Sequence, residues 1–182
     1  ETWRGGYNYS YMTVNDMNGD GYNYDAIYVP TDAEVESGAF RFVSQDDQDR
    51  FMGFLHNNKS LSKYQGKYAE GYSVYNPWVH RVDFSYKHDF KLNIGSTKHT
   101  LQLGIDIKNL LNLFNSSWGV SKTLNSAIGS DARILKYEGV DAQGIATFST
   151  PSAINADTKL FTPLHALGQC WNMGITVKYI FN

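Results

Sequence analysis

The stretch from Cys170 to Asn182 alternates almost without error: Trp171, Met173, Ile175, Val177, Tyr179 and Phe181 are apolar or aromatic, and Asn172, Gly174, Thr176 and Lys178 between them are small or polar. A period of two belongs to a β-strand with one greasy face and one wet face. Such a strand, at about 9 to 11 tilted residues, is long enough to cross a bilayer as part of a barrel, and its terminal aromatics fall where an interfacial girdle would lie.

The same parity recurs upstream. In Trp78 to Phe90 the even positions are Trp78, His80, Val82, Phe84, Tyr86, His88 and Phe90, with Arg81, Asp83, Ser85, Lys87 and Asp89 between them. In Thr97 to Leu110 the aliphatic residues Leu101, Leu103, Ile105 and Ile107 alternate with Thr100, Gln102, Gly104, Asp106 and Lys108. Near the N-terminus Tyr7, Tyr9 and Tyr11 alternate with Asn8, Ser10 and Met12, which reads as a fourth, shorter strand. Soluble antiparallel sandwiches alternate too. The connections favour the membrane: only Leu92 to Ser96 separates the second and third strands, while both other connections are long, the asymmetry of outer-membrane barrels. Val82, Phe84, Leu103, Ile105, Ile175 and Val177 are then expected to face lipid, and Arg81, Asp83, Asp106 and Lys178 the lumen.

Register follows from charge and turn chemistry. Setting Asp83 against Asp106 also sets Arg81 against Lys108, two like-charge clashes. Shifting by two residues keeps every side chain on its face and leaves two choices. One pairs Arg81 with Asp106; the other pairs Asp83 with Lys108 and puts Gly95 inside a four-residue turn from Ile94 to Thr97. Gly95 accepts a positive φ that Ile94 would resist, so the second is expected.

At 182 residues the chain fits one domain, and its net charge of -2 with pI near 6.2 offers no basic footprint for nucleic acid. No apolar run is long enough for a membrane helix. Aromatics make up 15% of the residues, as suits membrane interfaces or a binding surface. The single cysteine, Cys170, gives neither a disulfide framework nor a cysteine-based zinc site and reads as an inert small residue. Residues 1–20 lack a signal peptide, so a mature or partial chain is expected. The sequence lacks G-x-S-x-G, H-E-x-x-H, a phosphate loop and a Cys-His pair in catalytic spacing, and no enzyme is expected.

The long connections have their own pattern. Asn15 to Asp25 (NDMNGDGYNYD) is acidic and turn-rich, Ala26 to Pro30 is strand-like, and Asp46 to His56 reads as a short amphipathic helix presenting Phe51, Phe54 and Leu55. In the second, NLLNLFNSSWG from Asn109 to Gly119 precedes a hairpin of Arg133–Glu138 and Ile145–Ser149 around Asp141 to Gly144. Taken in order, NDMNGDGYNYDAIYVP, a helix-like segment and YQGKY, Asn76-Pro77-Trp78 leading into His80-Arg81-Val82-Asp83, DIKNLLNLFNSSWG and the closing Tyr179-Ile180-Phe181 resemble the C-terminal part of SusC-like TonB-dependent outer-membrane transporters, over nearly the whole chain. The resemblance implies an all-β fold: residues 1–182 as an antiparallel transmembrane β-barrel segment, about four C-terminal strands of a barrel of about 22, with long extracellular loops. It implies a bacterial outer-membrane location and uptake of glycans, peptides or other nutrients. The implied partners are the rest of the barrel and its plug, a SusD-like surface lipoprotein as lid, outer-membrane lipid, and TonB through an N-terminal region. In that family the plug domain and the N-terminal strands precede this segment and are not among these residues.

Two sets of residues are candidates for a site. Asp16, Asn18, Asp20, Gly21 and Tyr22 reproduce the first half of an EF-hand calcium loop, with Asp25 beside them, but position 12 is Ile27 where a bidentate Glu belongs. The same run is also a good metal-free turn. Trp118 and the tyrosines Tyr64, Tyr68, Tyr72 and Tyr75 are candidates for stacking on a substrate's sugar rings or packing against the lid, with plain loop packing as the alternative. Polar-face charges suit a ladder within a barrel wall or a substrate path. His80, His88 and His99 share the lipid-facing parity and are expected near the two membrane interfaces. Two other functional classes stand beside the transporter: a small self-contained outer-membrane barrel with a structural or adhesive role, and a soluble aromatic-rich β domain that binds carbohydrate. A small closed barrel needs at least about eight strands, and the sequence supplies four.

Overall fold

The computed structural model of the chain describes residues 1–4, 6–129 and 131–181. Most of its regular structure is strand, with few helices, and among the described residues the sheets are open, of two to four strands. The chain divides into two compact units: Glu1–Gly5, Pro77–Lys122 and Pro163–Asn182 form one, and Gly6–Asn76 with Thr123–Thr162 the other.

The first unit is built on three long antiparallel strands, Phe84–Ile94, Thr97–Lys108 and Asn172–Phe181, with Thr97–Lys108 in the centre. Period-two alternation makes each of them, and a two-residue turn joins the first pair. Ile94 pairs with Thr97 across Gly95 and Ser96, and Gly95 has a φ of 61° while Ser96 stays out of the left-handed region. That is the requirement of a II′ turn, whose twist matches the strands it joins. The register is the expected one, with Asp106 opposite Ser85, but the ladder ends at Ile107 and Phe84, so the expected pair of Asp83 with Lys108 falls just beyond it. The strand expected from Trp78 to Phe90 is instead two, because Trp78–His80 pairs with Thr2–Arg4 and the chain leaves the ladder at Arg81 to Asp83. There the Asp83 carboxylate accepts the Asn109 N–H at 2.8 Å, and Leu110 N–H donates to the Val82 carbonyl at 2.7 Å.

The segment after the central strand is held by asparagine side chains. Asn109 sits in the left-handed region, and its Nδ2 donates to the carbonyls of Gly119 and Gln169 at 3.2 and 2.7 Å. Asn112 Nδ2 donates to Ser116 and Trp118, and its Oδ1 accepts the Trp171 N–H. A Cβ on Gly119, whose φ is 64°, would lie 1.9 Å from Asn109 Oδ1.

The second unit has a conventional core. Its four-stranded sheet runs Met12–Thr13, Arg133–Val140, Ala146–Ser149, Arg41–Phe42; the central pair is the expected antiparallel hairpin and both outer pairs are parallel. The expected helix is present as Gln45–Asn57, capped by Ser44, with Phe51, Phe54 and Leu55 fully buried. They pack among Ile27, Val29, Leu61, Ile134, Leu135 and Ile154. The fourth spanning strand expected at Tyr7 to Met12 is absent. Asn8–Tyr9 pairs with Val74–Tyr75, Met12–Thr13 joins the four-stranded sheet, and Tyr11 is buried with its hydroxyl 2.5 Å from Ser60 Oγ. The tyrosine alternation therefore belongs to this core. Among the described residues three strands of ten residues or more occur, where about four were expected.

Candidate functional site

An uncovered sheet face dominates the first unit. Residues paired across an antiparallel ladder share a face, so the register gathers the apolar residues of all three strands into rows: Tyr86, Ile105 and Ile175; His88, Leu103 and Val177; Phe90, Leu101 and Tyr179; Leu92, His99 and Phe181. Leu103, Ile105, Ile175 and Val177 are residues expected together on one face, and Phe84 joins them opposite Ile107, whereas Val82, expected with them, lies in the break outside the ladder. Ile175, Val177 and Phe181 are 69%, 66% and 70% exposed, and the other apolar members of the face are exposed as well. An apolar patch of this extent needs a cover of lipid or protein, since water around it is unfavourable by about 25 cal/mol per Å². The opposite face is polar and internally bonded: Gln102 Nε2 donates to Asp89 at 2.8 Å, and Ser85 Oγ to Asp106 at 2.5 Å. Gly104 lies opposite Lys87 and Thr176, whose side chains approach the space where its Cβ would be. His99 lies near the short turn, whereas His88 lies in mid-strand, stacked on Tyr86 at 6.3 Å and edge-on to Phe90 at 4.5 Å. Its ring is a neighbour of aromatics on the apolar face, away from both strand ends.

The acidic loop folds onto its own backbone. Asp16 accepts the N–H groups of Gly19 and Gly21 at 2.7 and 2.8 Å, Asn18 Oδ1 accepts that of Asp20, Asp20 that of Tyr22, and Asp25 that of Met17 at 2.6 Å. Gly19 and Gly21 have positive φ, which these turns demand. The Gly21 N–H foremost, joined by that of Gly19, holds the Asp16 carboxyl below its ordinary value. At position 12 Ile27 is buried in the core and supplies no ligand. Among the described residues no three His, Cys, Asp or Glu side chains are grouped as metal ligands.

The aromatic candidates separate. Tyr64 is 2% exposed, its ring flanked by Lys63 and Lys67, so it has no face free for a sugar and leaves the candidate set as a core residue. Tyr68 is exposed and packs edge-on against Tyr28 at 5.4 Å. Tyr72 is the unusual one. It holds a φ of 55°, costly for a bulky side chain, while 72% exposed, and its N–H donates to Ser10 Oγ at 2.8 Å. With Tyr24, Asn8 and Asp131 it lines a groove of about 370 Å³. Trp118 is half exposed and lines a groove of about 420 Å³ with Trp78, His80 and Leu111. Tyr24, Asn8 and Asp131 carry no joint signal in the sequence, because they come together only when residues far apart in the chain are folded side by side. No protein-family model, curated protein or solved structure matches this chain.

Proposed function

We propose that the chain is the C-terminal wall of a SusC-like TonB-dependent importer in a bacterial outer membrane, taking up glycans or peptides beneath a lipoprotein lid. The observation that carries this reading is the three-stranded sheet, whose apolar residues share one exposed face over 10 to 12 residues per strand while charges and amides share the other. Strand length, the tight Gly95 turn and the two long connections leaving the opposite strand ends all suit a barrel wall. The open edges of Phe84–Ile94 and Asn172–Phe181 suit continuation by further strands. No helix among the described residues is long and apolar enough to cross a membrane. Within this reading Tyr72 and Trp118 are the substrate-contacting candidates, Tyr68 is a weaker third, and the acidic loop is a self-bonded turn.

Cysteine scanning from Met173 to Tyr179, in a Cys170→Ser background and in whole outer membranes, tests it. Even-numbered positions should react with a water-soluble thiol reagent and odd-numbered ones should be protected. Uniform reactivity, or recovery of the protein in the soluble fraction, overturns the reading.

A further inference from the structure

We propose that the polar face of the long sheet, at its short-turn end, binds an acidic peptide in extended form, an inference that rests on the membrane-wall reading, in which that face lines the path of uptake. The register sets the face out in rows. Lys87 lies with Gly104 and Thr176, Lys178 with Gln102 and Asp89, Lys91 with Thr100 and Ile180, and Lys98 with Asn93. Each of these four rows carries one lysine, and the four meet a single carboxylate, Asp89, which Gln102 engages at 2.8 Å. All four lysines are exposed, and none has an ion-pair partner among the described residues. Toward the other end the signs mix, with Asp106 beside Ser85 and Lys108 beside Asn172.

The spacing of the cations selects the occupant. Successive rows are two residues apart along a strand, about 6.8 Å, which is also the repeat of side chains on one side of any extended chain. A peptide laid along the sheet with a carboxylate at every second position therefore meets one ammonium per carboxylate. One lysine stem already leans inward: Lys87 crosses toward the central strand, its Cε 3.8 Å from where a Cβ on Gly104 would lie. The rest of the face suits a peptide as well. Among the described residues of these rows there is no aromatic ring for a sugar to stack on, while Asn93 and Thr100 offer an amide and a hydroxyl to a peptide backbone. A small anion would fill one row and leave the other lysines unmatched.

The test uses the whole protein, purified from membranes in neutral detergent, and the fluorescence anisotropy of a labelled peptide in which Glu and Ser alternate. One counterpart replaces every Glu by Gln; another gathers the same Glu residues into a single block, which turns half of them away from the sheet. The alternating peptide should bind more tightly than both, and unlabelled peptide should displace it better than oligogalacturonate at equal charge. Lys91→Gln with Lys98→Gln should weaken binding about tenfold, about threefold per exposed ion pair, while Lys91→Arg with Lys98→Arg keeps it. Because both lysines are exposed, a thermal melt should show the Gln pair folded. Before peptide is added, the four lysines should be open to a water-soluble acetylating reagent. Equal binding of either counterpart, stronger displacement by oligogalacturonate, or undiminished binding by a folded Gln pair overturns the site. So does protection of the lysines without peptide, which would show another segment of protein seated there. If the protein is membrane-bound with alternating thiol protection and yet shows no preference for the alternating peptide, this site alone falls and the wall reading stands.

Discussion

The two units use the same residue types in opposite ways. In the second, Phe40 stacks on Phe148 at 4.6 Å and nearly parallel, Phe42 leans on Phe51, and this cluster lies against Phe54 and Leu55 beneath the helix. In the first, Tyr86, His88 and Phe90 make comparable ring contacts on an exposed face. Strand length divides them as well. The sheet of the second unit has strands of two to eight residues tied down by side-chain bonds and helices, whereas the open sheet has three strands of ten to twelve. Alternation in a sequence therefore identifies a face and leaves its cover undetermined; the cover is decided by whether other segments of the chain return to it.

The largest expected effect lies in the closed core. Phe54→Ala should cost about 3 to 5 kcal/mol, because a fully buried ring leaves a cavity its neighbours fill only partly. Thermal or urea melts of the second unit's tryptophan-free signal, followed by tyrosine fluorescence, read it. The matching test on the open face is Ile175→Arg, expected to cost about 2 to 4 kcal/mol when folding is measured into lipid bilayers. Little cost in bilayers, with Phe54→Ala as damaging as expected, would mean that the open face meets something other than hydrocarbon and the contrast between the units would need another explanation.

Gly119→Ala comes next. The new methyl would collide with Asn109 Oδ1 in a backbone region that L-residues avoid, so overpacking and strain together should cost about 1 to 3 kcal/mol. The loss should appear in the first unit as faster amide exchange at Trp171, whose N–H Asn112 Oδ1 accepts, and at Trp118, whose N–H donates to the Asn115 carbonyl, and leave the second unit's melt unchanged. A coupled loss in both units would show that their stabilities are not separable.

Much of this contrast was legible in the sequence. The three long strands follow from parity alone, and the register from Gly95, whose freedom to take a positive φ decided a choice that charge left contested. The helix and the 133–149 hairpin were also legible, since both are local patterns. What was not legible is the return of two distant connections to one core. Tyr9 and Tyr11 alternate as a wall strand would, but parity does not reveal that Tyr11 meets Ser60 or that Met12 runs parallel to Arg133. Parallel pairs across more than a hundred residues leave no local trace. Tyr64 misled for the same reason, because a tyrosine in a Gly- and Lys-rich stretch looks exposed until the helix above it is placed. The strand break at Arg81 to Asp83 was hidden by an unbroken alternation, and its cause, Asp83 binding the Asn109 amide, is a tertiary contact.

A pH dependence is expected in the core unit. Burial pushes the Asp47 carboxyl up, but the Ser44 hydroxyl, the Thr150 N–H and the Arg50 guanidinium outweigh it and hold the group below its ordinary value. A lowered folded pKa means the unfolded chain takes up the proton first. The stabilisation is therefore complete above the ordinary carboxylate range, near about pH 4, and is lost as pH falls through the lower folded value. Melts of the second unit from pH 6 to 3 should show this acid loss in the native chain and a shallower one in Asp47→Asn. Equal slopes would take Asp47 out of the account.

The smallest expected effect concerns the acidic loop, where the comparison of the units sharpens to a single residue. In a calcium loop the twelfth position points back at the ion with two oxygens, whereas here Ile27 is 1% exposed and committed to the core that the whole second unit is built around. Turning that residue toward an ion would empty a core position, and the loop already engages its carboxylates, Asp16 on the Gly19 and Gly21 amides, Asp20 on that of Tyr22 and Asp25 on that of Met17. Calcium at about 1 mM, the range in which weak extracellular sites fill, should leave the amide exchange of Gly19 and Gly21 unchanged. Asp16→Ala should speed exchange at those two positions with or without the ion. Slower exchange on adding calcium in the native chain, lost in Asp16→Ala, would instead show that four oxygens suffice and that the loop is an ion site despite its committed isoleucine.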